Sequence, residues 1–324
     1  MSLQPESLSV VKNPTSYDEY SSSLSKFYQK IAAEELRETD SIRQQSLQSF
    51  RSYIAKSPTI LACRTDSVFL LRFLRVCKFS VPAACTKLER FIYIHQAYPQ
   101  WFSNLSLDDA SIREIINLGW CIPLPEKDEL GRQVIFYQSK VIDPTKHTAA
   151  QVMRAQELIF QALYDDEEVQ VAGIVFLFDD TEFTLQHVTM WSLTDMKEIT
   201  TYISKALPLR QKLFVRAGLP AFARTPYDLI RSFLVEKVKE RFRILKNFDE
   251  SKTIVDPKLL PKEFGGTIPI QQLIQNLKAK LTEKREKILL QDKMAVNIPL
   301  IEQSFKTGDF VQGLVGNFRK LEVD

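Results

Sequence analysis

The feature that most constrains this chain is the run Ile174-Val175-Phe176-Leu177-Phe178, five consecutive apolar residues ending at Asp179 and Asp180. A strand with one wet face alternates, whereas an uninterrupted apolar run marks a strand covered on both faces, as in the middle of an α/β sheet. The residues after it fit that setting. Met196, Ile199, Ile203 and Ala206 recur at helical spacing, with Lys197, Glu198 and Lys205 on the other side, as expected of a crossover helix returning the chain to the sheet. KLFVRAGL is the next expected strand. PAFARTPYDLIRSFLVEKVKERFR is then an expected helix starting near Pro220 or Pro226. Its residues Phe222, Leu229, Ile230, Phe233, Leu234 and Val238 form one stripe, and Arg231, Lys237, Lys239, Arg241 and Arg243 fill most of the rest. Together these segments read as the floor and the lid of an apolar cavity.

The flanking segments define the organisation. Residues 1–25, rich in Ser, Pro and Tyr, are expected to be a flexible arm, and residues 26–100 a helical domain. There LSKFYQKIAAEELRE and SIRQQSLQSFRSYIAKS are amphipathic, Thr65 or Asp66 caps VFLLRFLRVCKF, and Pro82 opens a further helix through Ile94. Residues 101–268 form the second domain. It begins with a helix and loop, then CIPLP and RQVIFYQ flank DELGR, where Gly131 supplies the positive φ of a turn. A helix over HTAAQVMRAQELIFQALYDDEE carries Val152, Met153, Ile159, Phe160 and Leu163 on one face, with Gln156 amid that stripe. After Arg243 a short strand is expected around Thr253 to Val255, then the loop LLPKEFGG. Residues 269–324 are expected to be an exposed, charge-rich helix and an irregular tail.

Several function classes find no support. A net charge of +3 over 324 residues gives no argument for nucleic acid, and no GxGxxG, GxxxxGK[ST] or GxSxG is present. His95, His147 and His187 have no neighbour at metal-ligand spacing, so no metal is expected, nor any cofactor besides a bound hydrophobic ligand. Asp179 and Asp180 read first as caps of the following turn. Cys63, Cys77, Cys85 and Cys121 include no CxxC pair, and no secretory leader precedes them, which favours a reducing cytosol. No apolar run approaches the roughly 20 residues that span a bilayer, so membrane contact would be peripheral. Two features keep two readings each. The apolar surplus on residues 149–164 and 190–206 is an ordinary core or a cavity wall, with polar Gln156 and Tyr202 beside it. The basic set Arg210, Arg231, Lys237, Lys239, Arg241 and Arg243 is a solvated face or a site for a phosphorylated headgroup.

The motifs FLLRFLRVCKF, PLPEKDELGRQVIFY, GIVFLFDD, LPLR, FLVEKVKERFR and LLPKEFGG, in that order, resemble the CRAL-TRIO family of lipid-binding proteins, in particular its tocopherol- and retinaldehyde-carrier branch. The resemblance covers about residues 30 to 270. It implies an all-helical N-terminal domain and an α/β lipid-binding domain whose mostly parallel sheet floors an apolar pocket under a helical lid, about residues 218–241. The positions it implies for the pocket are Met153, Gln156, Phe160, Ile174, Phe178, Ile199, Tyr202, Ile203, Leu207 and Phe214. Those for phosphoinositides are Arg210, Lys237 and Arg241; a fourth basic position falls on Cys77, with Arg75 and Lys78 beside it. Phe160 stands where the tocopherol-carrier branch has a small polar residue, and Leu207 where it has phenylalanine, which implies a differently shaped pocket. The implied role is not enzymatic: a cytoplasmic carrier for a small hydrophobic molecule of tocopherol, retinoid or isoprenoid type, exchanging it at phosphoinositide-containing endosomal or other intracellular membranes. The alternative is a phosphoinositide-reading scaffold, or a phospholipid exchanger, with a structural lipid in the pocket.

Overall fold

Short polar side chains set the helix starts of the N-terminal half. In the computed structural model, which describes residues 9–234 and 236–307, helix α1 spans Lys26–Leu36 and α2 spans Asp40–Lys56, the latter capped by Thr39. A three-residue strand, β1 (Ile60–Ala62), precedes α3 (Ser67–Val76), whose N-terminus is capped by the Asp66 carboxylate accepting from the Phe69 amide. Helix α4 (Val81–Ala97) takes Pro82 in its first turn, where a missing N–H is harmless. Their shared core is aromatic: Phe73 meets Phe69, Phe91 and Phe50 edge-on at 5.4, 5.5 and 6.4 Å. Helices α5 (Pro99–Phe102) and α6 (Ala110–Asn117) lead to the sheet.

The sheet has five strands, β2 (Cys121–Lys127), β3 (Gln133–Gln138), β4 (Ile174–Asp179), β5 (Gln211–Ala217) and β6 (Phe242–Leu245), side by side in that order. The first pair is antiparallel, joined by the turn in which Gly131 takes φ +73°, and the other pairings are parallel. Between β3 and β4 run α7 (Ala149–Tyr164), opened by a reciprocal cap between Thr148 and Gln151, and α8 (Glu167–Ala172). Between β4 and β5 run α9 (Leu185–Thr189) and α10 (Leu193–Thr201), the latter ending in a π-helical turn over Tyr202–Ala206. Between β5 and β6 run α11 (Ala221–Ser232) and α12 (Glu236–Lys239). The α/β architecture expected from the sequence is therefore present.

Four segments differ from those expectations. The helix expected to continue to Arg243 gives way to strand β6, because Phe242 stacks on Phe214 (4.4 Å, 8°) and Phe214 on Phe176 (4.6 Å, 7°), an aromatic ladder across three parallel strands. The strand expected at Thr253 to Val255 is instead a 3-10 turn over Asp249–Thr253, and Val255 is buried against the far sheet face. Helix α13 (Ile270–Glu283), expected to be exposed, buries Leu273, Ile274, Leu277 and Leu281 against the domain. The arm is tied down over residues 9–25: Lys12 donates to the carbonyls of Ser57 (3.0 Å) and Ile60 (2.7 Å), and Asp18 pairs with Arg51 (2.6 Å) and accepts from the Ser67 amide.

After α13, helix α14 (Arg285–Leu289), strand β7 (Ala295–Val296) and α15 (Ile298–Thr307) return to the N-terminal domain. Strand β7 pairs antiparallel with β1, so that domain is not wholly helical and the C-terminal segment is not an appendage. The rest of the expected tail, from residue 308, and residues 1–8 lie outside the described residues. Among the described residues, no helix is long and apolar enough to cross a membrane.

Candidate functional site

One face of the sheet supports a cavity of about 290 Å³. Strands β4 and β5 contribute Phe178 and Phe214 to its floor, α7 contributes Val152, Met153 and Gln156, and α10 with its π turn contributes Met196, Ile199 and Ile203. Helix α11 covers it with Ala223, Pro226, Tyr227, Ile230 and, just past its end, Leu234, while Phe242 of β6 closes one side. Trp120, Phe183, Met190 and Trp191 add to the apolar lining. The wall is mostly apolar with a few polar groups, the general character of a small-molecule site, and the volume lies at the small end for such sites.

Six of the ten expected pocket positions meet here: Met153, Gln156, Phe178, Ile199, Ile203 and Phe214. Phe160, Ile174, Tyr202 and Leu207 do not line the cavity; each is 0 to 2% exposed within the packed core. Phe160 packs between α7 and the sheet against Phe176, with ring centroids 6.2 Å apart. Tyr202 is drawn away by charge: its hydroxyl donates to the buried Glu157 carboxylate (2.7 Å) and meets the Tyr164 hydroxyl (2.6 Å). Burial, and then the Glu157 charge, push both tyrosines well above the usual phenol range. His95 and Gln161 reach the same carboxylate, leaving it well partnered although 1% exposed.

The expected lid residues divide in two. Ile230 and Leu234 face the cavity, whereas Phe222, Leu229 and Phe233 are 48, 49 and 38% exposed on the outer side. The single stripe read from the sequence is thus two adjoining stripes: Ala223, Tyr227, Ile230 and Leu234 turn inward, and Phe222, Leu229 and Phe233, at spacings of seven and four, turn outward.

A charged pair that the sequence reading missed sits on the cavity wall. Arg216 of β5 donates from Nε (2.6 Å) and Nη2 (2.7 Å) to Asp180, which is fully buried and also accepts from the Ser139 hydroxyl (2.8 Å). The guanidinium lies over Phe178 at 4.6 Å and near the rings of Tyr227 (5.6 Å) and Phe183 (5.9 Å). Burial works against its charge, but Asp180 more than offsets this and holds its pKa above the ordinary value. Only Asp179 caps the turn locally, accepting from the Thr181 amide (3.0 Å).

Residues 117–266, which contain this sheet and cavity, match the CRAL/TRIO domain, and residues 39–112 match the Pinta-like UBA domain. The cavity-bearing part of the chain is thus a CRAL/TRIO domain. It is 28% identical over 236 residues to Clavesin-1 of Pongo abelii, a span covering 72% of this chain and 67% of that relative. The same identity over the same length holds for Clavesin-2 of Homo sapiens, with 72% of each chain covered. A superposition on the solved structure described as "Crystal structure of Sfh5" has a TM-score of 0.42 at 10% identity and covers 82% of this chain and 98% of that one. CRAL-TRIO proteins are a lipid-binding and lipid-transfer family, and the apolar cavity lies within the domain that defines it here.

The basic positions implied for phosphoinositides do not form one set. Arg75 is fully buried, bonded to Glu38 (2.9 Å), Glu167 (2.8 Å) and Gln170 (2.8 Å), and is removed from the candidate headgroup site. The reason is its place on the inner face of α3, where it joins α1–α2 to α8. Lys78, past the end of α3, is exposed. Arg210 pairs with Glu35 of α1 at 2.5 Å, and Lys212 shares that carboxylate at 2.5 Å. Arg241 donates to the Gln211 carbonyl, and burial together with the nearby Arg210 charge lowers its pKa. Lys237 is exposed. Among the described residues no group of three or more His, Cys, Asp or Glu is placed to hold a metal ion.

Proposed function

We propose that this protein is a non-enzymatic carrier that encloses one hydrophobic molecule, of tocopherol, retinoid or isoprenoid type, and exchanges it at phosphoinositide-containing membranes when α11 and α12 lift. The observation that carries the reading is that α11 is apolar on both sides: Tyr227, Ile230 and Leu234 close the cavity while Phe222, Leu229 and Phe233 face outward. Ligand burial supplies affinity at about 25 cal/mol per Å² of apolar surface, before the loss of freedom on binding is subtracted. Release requires a second state in which the outward stripe has somewhere apolar to go, and a membrane surface offers it.

The charge needed to find an anionic surface comes from Arg210, Lys237 and Arg241. A headgroup phosphate would compete with Glu35 for Arg210, shifting the population toward the membrane-bound form. Contact with endosomal or other intracellular membranes belongs to this proposal. The alternative, a phosphoinositide-reading scaffold that recruits a partner through its C-terminal helix, would have to use the polar face of α13, because the apolar stripe of that helix packs against the domain.

The test is ligand transfer between vesicles with and without phosphoinositide. Each cation near an anionic surface contributes about 1 kcal/mol, so Lys237→Ala with Arg241→Ala is expected to slow transfer to phosphoinositide vesicles by about tenfold or more and to leave transfer to neutral vesicles unchanged. Equal rates for wild type and variant on phosphoinositide vesicles would refute the headgroup step.

A further inference from the structure

A wall made only of hydrocarbon accepts any apolar molecule of suitable shape, and most of this cavity is such a wall. The exception is the Arg216–Asp180 pair. Taking an ion pair out of water is unfavourable unless its hydrogen-bonding groups are satisfied, and here the satisfaction stops one group short. Asp180 takes Nε and Nη2 of Arg216, but Nη1 has no partner among the described residues, and the side chain, 19% exposed, lines the cavity. Tyr227 stands beside it on the lid. Its ring is 5.6 Å from the guanidinium carbon, the residue is 8% exposed, and its hydroxyl is buried without a hydrogen-bond partner. A buried donor without an acceptor is uncommon in a folded chain; the Tyr227 hydroxyl is one, and beside it the unpaired Nη1 of Arg216 is open to the cavity, so this end is where a ligand would supply the acceptor.

The charge balance narrows the ligand further. Arg216 is already neutralised by Asp180, whose carboxylate is fully buried. A carboxylate or phosphate on the ligand would put a second negative charge beside Asp180 in a low-dielectric space, with one cation between them. A carbonyl or hydroxyl oxygen accepts from Nη1 without adding charge, and the Tyr227 hydroxyl can turn to meet it. The other polar groups at this end are engaged: Ser139 donates to Asp180, and Nε2 of His187 faces the carbonyls of Ser139 and Ile142.

We propose that Arg216 and Tyr227 form the polar end of the cavity and select an uncharged ligand with a single acceptor oxygen, carbonyl or hydroxyl, at the end of an otherwise apolar skeleton. The proposal rests on the carrier reading and specifies its ligand class. It places recognition on β5 and α11, so closure of the lid and reading of the ligand's polar end are one event.

The test uses four probes with one fifteen-carbon isoprenoid skeleton: the hydrocarbon farnesene, the alcohol farnesol, the aldehyde farnesal and, ionised at pH 8, farnesoic acid. Trp120 and Trp191 line the cavity, so quenching of tryptophan fluorescence in the delipidated full chain reads binding directly. The alcohol and aldehyde are expected to bind about tenfold tighter than the hydrocarbon, the span of one to two satisfied hydrogen bonds, and tighter than the acid. In Arg216→Met with Asp180→Leu, which removes both charges together, that preference is expected to vanish, with the alcohol and aldehyde binding no tighter than farnesene does to the same variant. Tyr227→Phe removes a hydroxyl that bonds to nothing in the free protein, so it should fold normally and narrow the preference to about threefold. This second variant decides the matter if the double variant fails to fold. Equal binding of all four probes, a preference for the acid, or a preference for the alcohol and aldehyde that persists undiminished in both variants would each overturn the assignment. No binding of any probe would overturn the carrier reading beneath it as well.

Discussion

The cavity has two helical walls built on opposite terms. Helix α7 buries ten of its sixteen residues, whereas α11 buries only Ala223 and Tyr227 of twelve. Behind α7 stand further layers: Glu157 with its tyrosines, then Asp165 at the helix end bonded to Arg64 (3.2 Å), Arg72 (2.5 Å) and Lys287 (2.7 Å). The outer side of α11 instead presents Phe222, Leu229 and Phe233 as exposed residues, and Pro226 within the helix removes one backbone hydrogen bond. The difference teaches which wall moves. A helix tied into a charged and aromatic lattice opens only with the fold, while one that trades a modest inner contact for a membrane can open alone.

The largest test of this contrast is the buried Arg75. Removing it leaves Glu38, 6% exposed, and Glu167 without their shared cation, so Arg75→Met is expected to cost about 3 to 5 kcal/mol in denaturant unfolding. Removing a charge from the lid, Lys237→Ala, is expected to change stability by less than about 0.5 kcal/mol. Comparable losses at the two sites would erase the distinction between fixed and mobile walls.

A smaller effect separates them by pH. Burial alone would raise the Asp165 pKa, but Arg64, Arg72 and Lys287 outweigh it and hold the carboxyl well below the usual range. A depressed folded pKa means that Asp165 stabilises the fold above its unfolded value of about 4 and loses that contribution as pH falls toward its folded value. Unfolding free energy measured from pH 6 to pH 3 should therefore fall with acid. Asp165→Asn should start lower and fall less steeply. Parallel curves for the two proteins would show that this cluster does not anchor the fixed wall.

Much of the fixed wall is legible in the sequence, because local pattern controls it. The apolar run at Ile174 to Phe178 and the apolar face read over residues 149–164 locate β4 and α7. Depth is not legible. Periodicity gives the face a residue occupies, but Met153 and Phe160 share the inner side of α7 and only Met153 reaches the cavity. The family resemblance puts Tyr202 in the cavity, and its attraction to Glu157, 45 residues earlier, leaves no local signature that would correct it. The same holds for Asp180, which reads as a turn cap although its partner Arg216 lies 36 residues on in a strand that otherwise looks apolar. In α13, abundant lysine and glutamate hide a stripe at Leu273, Leu277 and Leu281 whose spacing of four is present throughout.

The mobile wall gives the effect smallest in stability and most specific in function. Phe222 and Phe233 are 48 and 38% exposed, so replacing both with serine removes apolar surface that water already touches and should shift unfolding by no more than about 0.5 kcal/mol. Neither residue lines the cavity, so ligand affinity in solution is expected to hold. Transfer to vesicles is different, because each ring that enters the interfacial region gains about 25 cal/mol per Å² buried. The double variant is therefore expected to bind ligand normally and deliver it several-fold more slowly, with the deficit unchanged by phosphoinositide content. That last condition separates insertion from charge: if added phosphoinositide restored the wild-type rate, Lys237 and Arg241 alone would bring α11 to the membrane, and the outward stripe would be no more than exposed surface.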